Sequence, residues 1–94
     1  MRWRDDEYVS IVTRRDLRRG GFQAAQIAHA AFEHAKAFGP HDGPLLVHAV
    51  DDEAELLEIA ERHGGTPFHE PDLGGAVTAV AVAGVPSSRT LRLL

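Results

Sequence analysis

Runs of apolar residues alternate with polar breaks along this chain, and their spacing predicts strands and helices in turn. Residues 8–12 form a short apolar run that predicts a first strand. Residues 45–50 are almost continuously apolar, as in a strand covered on both faces. Residues 66–70 and the small, β-branched run at 76–83 predict two further strands. Longer segments with helical periodicity follow the first two strands.

The first predicted helix covers residues 21–38 and ends at Gly39 and Pro40, because proline cannot continue the hydrogen-bond ladder. When residues are placed at steps of about 100°, a set of apolar residues gathers on one side, which we expect to pack on the sheet. These residues are Ala24, Ile27, Ala28, Ala31, Ala35 and Phe38. The side expected to face solvent carries Gln26, His29, Glu33 and Lys36, together with Phe22.

The second helix is predicted between a capping pair, Asp51 and Asp52, and a stop at Gly64 and Gly65. Carboxylates in its first turn favour the positive end of the helix dipole. Its expected packing stripe consists of Leu56, Leu57, Ile59 and Ala60.

The element order β-α-β-α-β-β predicts one small α/β domain over residues 1–94, with helices packed on a mixed four-stranded sheet. Helical crossovers should make the first three strands parallel, with right-handed connections. The glycine-rich turn at residues 71–75 should set the fourth strand antiparallel to the third. The leucine-containing tail, residues 86–94, is expected to pack back on this body.

The composition favours a small globular domain over a disulfide-rich or membrane-spanning protein. Ninety-four residues, of which 44% are apolar, suit a single hydrophobic core. The chain has no cysteine for disulfides, no apolar run long enough for a membrane span, and no apolar signal segment in its polar start. We therefore expect a cytoplasmic protein without a membrane segment.

The charge is unevenly distributed. The chain carries a net charge of −4, but residues 1–19 hold six arginines against four acids, whereas the remainder has an excess of acids. Any contact with RNA must therefore be local, centred on Arg14, Arg15, Arg18 and Arg19. The alternative is a solvated turn that simply carries charge.

This basic block lies where the first strand ends and the first helix begins, with Gly20 and Gly21 between them. Ligands of open α/β folds usually bind at the carboxyl ends of strands. The first N–H groups of a helix lack partners within the helix and can bind an anion. The segment thus predicts a site for a phosphate-bearing ligand.

The same segment resembles the type 2 peptidyl-tRNA hydrolase family. Members typically have a strand, then Asp-Leu, a short basic turn containing glycine, and then Lys-x-x-Ala-Gln-x-x-His-Ala. Asp16, Leu17 and the run at 21–30 fit this pattern at every position but one. The family's active-site lysine falls on Phe22, and Lys36 is the only lysine in the chain.

The resemblance implies hydrolysis of the ester that joins a peptide to the 3′ end of a tRNA, without a cofactor, in a protein that often forms a homodimer. Gln26 and His29 occupy matched motif positions and would position the attacking water. An aspartate before the last strand would act with them, and either Glu70 or Asp72 fits it; we favour Asp72. Thr78 would donate a hydroxyl.

The resemblance also implies roles for the turn. The four arginines would hold phosphates, and N–H groups around Gly20 and Gly21 would stabilise the oxyanion.

Taken without the resemblance, these residues have simpler explanations. His29 can pair with Glu33 on a solvated helix face, Asp72 can bond its own turn, and Thr78 can reflect strand propensity alone. His29 and Glu33 have the spacing of two metal ligands on one helix. The other histidines show no paired spacing such as His-x-x-x-His and no H-E-x-x-H motif exists, so no metal is expected.

Phe22 defines the rival function, a non-catalytic module of the same fold that binds RNA or a protein. Its ring can stack on a base or ribose, or it can fold down as a staple on the helix start.

Overall fold

The computed structural model describes residues 4–94; residues 1–3, part of the polar start in which no signal segment is expected, lie outside them. Two helices in this range pack on opposite faces of one sheet. The elements are β1 (Val9–Arg14), α1 (Gly21–Phe38), β2 (Leu45–Val50), α2 (Glu53–His63), β3 (Thr66–Glu70), β4 (Ala76–Ala83) and β5 (Arg92–Leu93), with 3-10 turns at Asp5–Glu7 and Pro71–Leu73.

The sheet has the order β3-β4-β1-β2-β5. β1 is parallel to β2, and β4 is antiparallel to both β1 and β3, so the first three strands run in one direction as predicted. The predicted count of four strands is wrong within the described chain, because Arg92 and Leu93 pair with Ala49 and His48 as a fifth. A two-residue edge strand has no periodic pattern of its own, and only its partner strand defines it.

The predicted bounds of α1, β2, β3 and β4 agree with the structure. β1 begins one residue later than predicted and extends through Arg14. The extension is not predicted from the sequence because Thr13 and Arg14 are polar and do not continue the apolar run.

The core on the α2 side of the sheet follows the sequence closely. Asp52 caps α2 by accepting a hydrogen bond from the Glu55 N–H at 3.1 Å. Leu56 and Ile59 are fully buried among valines of the sheet, but Leu57 is 47% exposed, so its predicted place in the packing stripe is wrong. Leu57 follows Leu56 directly, and adjacent residues of a helix do not share a face.

The orientation of α1 differs from the prediction by about a quarter of a turn. Its buried residues are Gln23, Gln26, Ala30 and His34, so the predicted solvent-facing place of Gln26 is wrong. Of the predicted packing side, Ile27 and Ala31 are half-buried and pack against the core as expected, whereas Ala24, Ala28, Ala35 and Phe38 are exposed. Alanines occur on nearly every side of this helix, so the apolar pattern does not fix which side meets the sheet. The glutamines can face inwards because their amides form hydrogen bonds with residues of the strands.

The tail packs back on the body, as expected, through both leucine and polar contacts. Leu91 packs against the α2-side core. Glu55 is 1% exposed, and its carboxylate accepts hydrogen bonds from the Ser88 hydroxyl and from the Thr90 N–H and hydroxyl, at 2.9 and 2.8 Å for the latter two. Glu55 therefore anchors the segment that leads into β5.

Candidate functional site

The first turn of α1 is fixed against the end of β1. Gly20, the residue before α1, has a φ of 81°, in the left-handed region that glycine adopts without strain. The Gln23 side chain donates from Nε2 to the Arg14 carbonyl at 3.1 Å. Helix start and strand end thus meet as the sequence predicted, with Gly20 and Gly21 exposed between them.

An irregularity in the β3–β4 pair directs Thr78 towards α1. Phe68 pairs with Ala79, but the next residue, His69, pairs with Val77, so Thr78 is an extra residue in β4. Such a β-bulge changes the direction of a side chain and is frequent beside functional sites. The Thr78 hydroxyl donates to Gln26 Oε1 at 2.7 Å.

Gln26 connects this hydroxyl to a carboxylate. Its Nε2 donates to Glu70 Oε1 at 3.3 Å. Gln26, Thr78 and Glu70 are 1%, 0% and 8% exposed, so the three side chains form a buried polar cluster, here called the Gln26 cluster. The structure thereby brings together two predicted site residues, on α1 and β4.

The carboxylate that reaches Gln26 is Glu70, the alternative to the favoured Asp72. Asp72 lies exposed in the 3-10 turn that follows β3. The described residues include no hydrogen bond from Asp72 to Gln26 or His29. Glu70 precedes the turn and ends β3, so the strand holds its side chain against the helix.

One oxygen of Glu70 remains open to water. Its Oε2 has no hydrogen-bond partner within residues 4–94, and this oxygen is not fully buried. A carboxylate held at one oxygen and solvated at the other can accept a proton from a bound water.

His29 lies outside the Gln26 cluster, although only three residues separate it from Gln26. It is exposed, and its ring stacks on Phe68 with centroids 4.4 Å apart and planes 9° apart. It forms no salt bridge with Glu33, which instead pairs with Lys36 at 2.8 Å. The aromatic contact fixes the plane of the imidazole and leaves its edge towards solvent.

The guanidinium group of Arg14 forms hydrogen bonds within the protein. Its guanidinium donates to both oxygens of Asp16, at 2.9 and 3.0 Å, and to the Val77 carbonyl at 3.0 Å. The hydrogen bond to Asp16 raises the pKa of Arg14 above its usual value. Arg14 therefore joins the end of β1 to β4.

Arg15 is also engaged. It donates to Asp51 at 3.2 Å, to the Ala49 carbonyl at 2.6 Å and to the Thr90 carbonyl. These contacts join the ends of β1 and β2 to the tail. Such a role has no local signal in the sequence, because every acceptor is distant along the chain.

Arg18 and Arg19 are the arginines of the block that project into solvent. Neither takes part in a salt bridge among the described residues. The Arg18 guanidinium lies over the Phe22 ring, 5.7 Å from its centroid, within the range of a cation–π contact. Phe22 is half-buried here.

A cleft of about 470 Å³ opens beside this pair. Its lining residues are Arg14, Asp16, Leu17, Arg18, Phe22 and Leu73. Its lining combines three apolar side chains with two arginines and one aspartate, and Arg14 is neutralised by Asp16, so Arg18 is the lining cation that can meet a negative group. The Gln26 cluster does not line the cleft itself.

Three features of the site are not predicted by the sequence analysis: the hydrogen bond of Gln23, the ring of Phe68 and the bulge at Thr78. Gln23 and Gln26 lie three residues apart in a helix otherwise rich in alanine, which is the spacing of a shared face. That spacing is a usable signal for a buried polar face. The bulge has no comparable signal.

Among residues 4–94, no group of three or more histidine and acidic side chains is arranged to hold a metal ion. None of the helices described here has the length and apolarity that a membrane span requires.

Comparison with known proteins adds no relative. No protein-family model matches the chain, and no curated protein is significantly similar to it in sequence. The resemblance to type 2 peptidyl-tRNA hydrolases therefore rests on the motif at residues 16–30 and on the matched positions around it.

Proposed function

We propose that this chain is a peptidyl-tRNA hydrolase-like protein that hydrolyses the ester between a peptide and the 3′ end of a tRNA. The observation that carries the proposal is the pair of hydrogen bonds at the Gln26 amide, which accepts from the Thr78 hydroxyl and donates to Glu70. The motif positions of Gln26 and Thr78 are distant in sequence, and their contact is the arrangement that a shared catalytic site requires.

The chemistry assigns the base role to Glu70. Its open oxygen takes a proton from water as the water attacks the ester carbonyl. The bond between the acyl carbon and the ribose oxygen then breaks, and the proton passes to that oxygen. The products are a peptide with a free carboxylate and a tRNA with a free 3′ hydroxyl. His29, which stacks on Phe68 one turn along α1 from Gln26, would relay the proton in this proposal.

The N-terminal end of α1 stabilises the negative charge that develops on the carbonyl oxygen during attack. The N–H groups that follow Gly20 have no acceptor within the helix and carry the positive end of its dipole. Donors of this kind stabilise an oxyanion without reorganising. They provide part of the electrostatic stabilisation that the lysine of the family motif would provide.

Arg18, Arg19 and Phe22 bind the RNA in this proposal. Exposed arginines contact phosphates, and an aromatic ring beside them stacks the terminal base, as in proteins that bind single-stranded RNA ends. Arg14 and Arg15, which the sequence also suggested for this role, act by holding the strand ends that support the turn.

The resemblance adds two elements to the proposal, a cytoplasmic location and a homodimer. Both follow from the reaction and the family rather than from the site.

The second candidate is a non-catalytic module that binds an RNA end in the same cleft. Phe22 favours it, because a ring replaces the cation of the family motif. Both polar atoms of the Gln26 amide are also already bonded within the protein.

One set of assays separates the two functions. Wild type, Glu70→Gln and Asp72→Asn are each given purified peptidyl-tRNA, and both hydrolysis and tRNA binding are measured. If Glu70 is the base, Glu70→Gln lowers turnover by roughly 10²-fold or more with little change in binding. Asp72→Asn is the matched control in the adjacent turn and should keep wild-type turnover.

The other outcomes are informative. Binding without hydrolysis in the wild type supports the module. Loss of turnover in Asp72→Asn alone returns the base role to Asp72. A wild type that neither binds nor hydrolyses leaves the resemblance as one of fold only.

A further inference from the structure

A cavity of about 650 Å³ lies at the end of the sheet away from the Gln26 cluster. Val9, the first residue of β1, lines this cavity, whereas Arg14, the last, lines the cleft beside Phe22. Five residue steps of extended chain separate the two ends of β1, which is roughly 17 Å. The volume is in the range of cavities that bind small molecules, about 300–1,000 Å³. We call it the His34 cavity, after a buried side chain that lines it.

His34, near the end of α1, is a buried polar side chain without a partner. It is 9% exposed, and it forms no side-chain hydrogen bond within residues 4–94. Its Nδ1 is buried, whereas Nε2 is not fully buried. Buried polar groups of proteins nearly always form hydrogen bonds, so this imidazole is an exception that a ligand in the cavity would remove.

The protonation state of His34 determines what it offers to a ligand. Burial lowers the pKa of His34, and the nearby His41 lowers it further, so the ring is neutral at about pH 7. One nitrogen of a neutral imidazole is a donor and the other is an acceptor. An unpaired N–H is the more costly group to bury, which places the proton on Nε2. His34 therefore presents an N–H donor to the cavity.

His41 provides the complementary acceptor. It lines the same cavity, and its Nε2 donates to the Pro44 carbonyl at 3.0 Å. In the neutral ring, this bond leaves Nδ1 as an acceptor. The chain beside the ring is closely packed, because a Cβ at Gly43 would lie 3.0 Å from His41 Cε1. A donor and an acceptor on neighbouring imidazoles suit a ligand that carries both groups on one edge.

The remaining lining suits a flat and largely apolar ligand body. It includes the apolar side chains of Val9, Ala81 and Phe38. The Phe38 ring lies next to the His34 ring, with centroids 4.8 Å apart, and it is 69% exposed. An exposed aromatic ring at the cavity provides a surface on which a planar ligand can stack.

The charged groups that line the cavity are carboxylates. Asp6 and Glu7 line it, and no lysine or arginine among the described residues does. Arg4 pairs with both carboxylates, at 3.3 and 3.4 Å, and neutralises part of their charge. The lining therefore disfavours an anion such as a phosphate. In this respect it is the opposite of the cleft beside Phe22, which Arg18 lines.

We propose that the His34 cavity binds an uncharged, planar nitrogen heterocycle of nucleobase size. The heterocycle accepts a hydrogen bond from His34 Nε2, donates one to His41 Nδ1, and stacks on Phe38. The acidic lining selects a free base over a nucleotide. This site is separate from the proposed RNA site, and its occupation does not require that the protein hydrolyses peptidyl-tRNA.

Adenine is the probe for the first test, because one edge of this base carries a ring-nitrogen acceptor beside an amino donor. Calorimetric titration of the full chain near neutral pH should give a dissociation constant below about 1 mM, a value within reach of a ligand of about ten non-hydrogen atoms. AMP carries the same base with a phosphate and should bind at least roughly tenfold more weakly. This arm distinguishes a free base from a base that belongs to a nucleotide or an RNA.

His34→Phe tests the hydrogen bond, because it keeps a planar ring of similar size but removes both nitrogens. It should weaken adenine binding by roughly tenfold or more. His69→Phe is the matched control, since His69 is exposed on β3 and does not line the cavity. Urea unfolding of both variants shows whether the fold is intact.

A second variant and a second measurement keep the test independent of the folding of His34→Phe. The double variant Asp6→Asn with Glu7→Gln changes carboxylates in an exposed turn, and it should bring AMP affinity close to that of adenine. In NMR spectra of the wild type, adenine should shift the imidazole signals of His34 and the methyl signals of Val9 and Ala81.

Four results would overturn the proposal: a wild type that does not bind adenine, unchanged affinity in a folded His34→Phe variant, no shift of the His34 signals, or AMP that binds the wild type as tightly as adenine. Adenine binding that is lost in Phe22→Ala and kept in His34→Phe would place the base in the RNA cleft instead.

Discussion

Glu55 is expected to contribute a large part of the stability of the tail, and Glu55→Gln measures it. The buried carboxylate accepts three hydrogen bonds from Ser88 and Thr90. A hydrogen bond to a charged group is worth about 1.5–3 kcal/mol, against about 0.5–1.5 kcal/mol for a neutral one. Glutamine has nearly the same shape, so the loss is the difference between charged and neutral bonds, together with the acceptor that its NH₂ group does not provide.

That difference is about 1 kcal/mol for each bond, and relief from burying a charge offsets part of the sum. We expect a net loss of about 2 kcal/mol in the free energy of unfolding. For a domain of this size, this lowers the melting temperature by about 8–16 °C. Urea unfolding and calorimetry measure both quantities, with the exposed Glu58→Gln on the same helix as control.

The pH dependence provides an independent check. Burial raises the pKa of Glu55, but the hydrogen bonds from Ser88 and Thr90 together outweigh it and leave the pKa below its usual value. A lowered folded-state pKa stabilises the protein above the unfolded pKa of about 4.3, and this stabilisation is lost as the pH falls further. The difference between wild type and Glu55→Gln should therefore shrink below about pH 4. A variant as stable as Glu58→Gln at pH 7, or a difference that does not depend on pH, would refute the assigned role.

Three further predictions concern the site and the core. If the missing cation limits catalysis, Phe22→Lys should raise peptidyl-tRNA hydrolysis by roughly 10²-fold, and an unchanged rate in a properly folded variant would contradict this. Neutralising Arg18 and Arg19 should reduce the salt dependence of tRNA binding by about one unit of slope for each lost phosphate contact, measured by titration at several salt concentrations; unchanged slopes would place the RNA elsewhere. His48 is buried with Nδ1 lacking a hydrogen-bond partner in the described residues, and burial lowers its pKa, so its neutral form adds stability above about pH 6.5 that is lost as the pH falls. His48→Leu should therefore lose less stability than wild type between about pH 6.5 and pH 5 in urea titrations, and identical pH profiles would exclude that contribution.

Local pattern determined most of the secondary structure. The ends of α1 lie at glycines, and the cap of α2 is an aspartate whose side chain bonds the helix N–H groups. These signals involve residues a few positions apart, so they do not depend on tertiary contacts. The direction of the strands also followed, because helical crossovers and a tight turn leave few alternatives.

Tertiary structure decided which residues the site contains. By sequence both Glu70 and Asp72 fit the family's aspartate, and Asp72 is favoured. In the structure, the end of β3 places Glu70 against Gln26, whereas Asp72 lies exposed in the following turn. The bulge that directs Thr78 is a mismatch between two strands and exists only in their pairing. In the sequence Arg15 does not differ from the other arginines of the basic block. Only the fold brings the carbonyls of Ala49 and Thr90 close enough for it to donate to them.

The orientation of α1 shows the same division between sequence and fold. The sequence determined that residues 21–38 form a helix, because propensity and end signals act along one segment. It did not determine which side is buried, because alanine is small and nearly indifferent to its surroundings. The decision came from the partners on β3 and β4 that satisfy the Gln26 amide. Hydrogen bonds to distant residues can outweigh a weak apolar pattern, because a buried amide with its hydrogen bonds satisfied costs little and burying an alanine gains little.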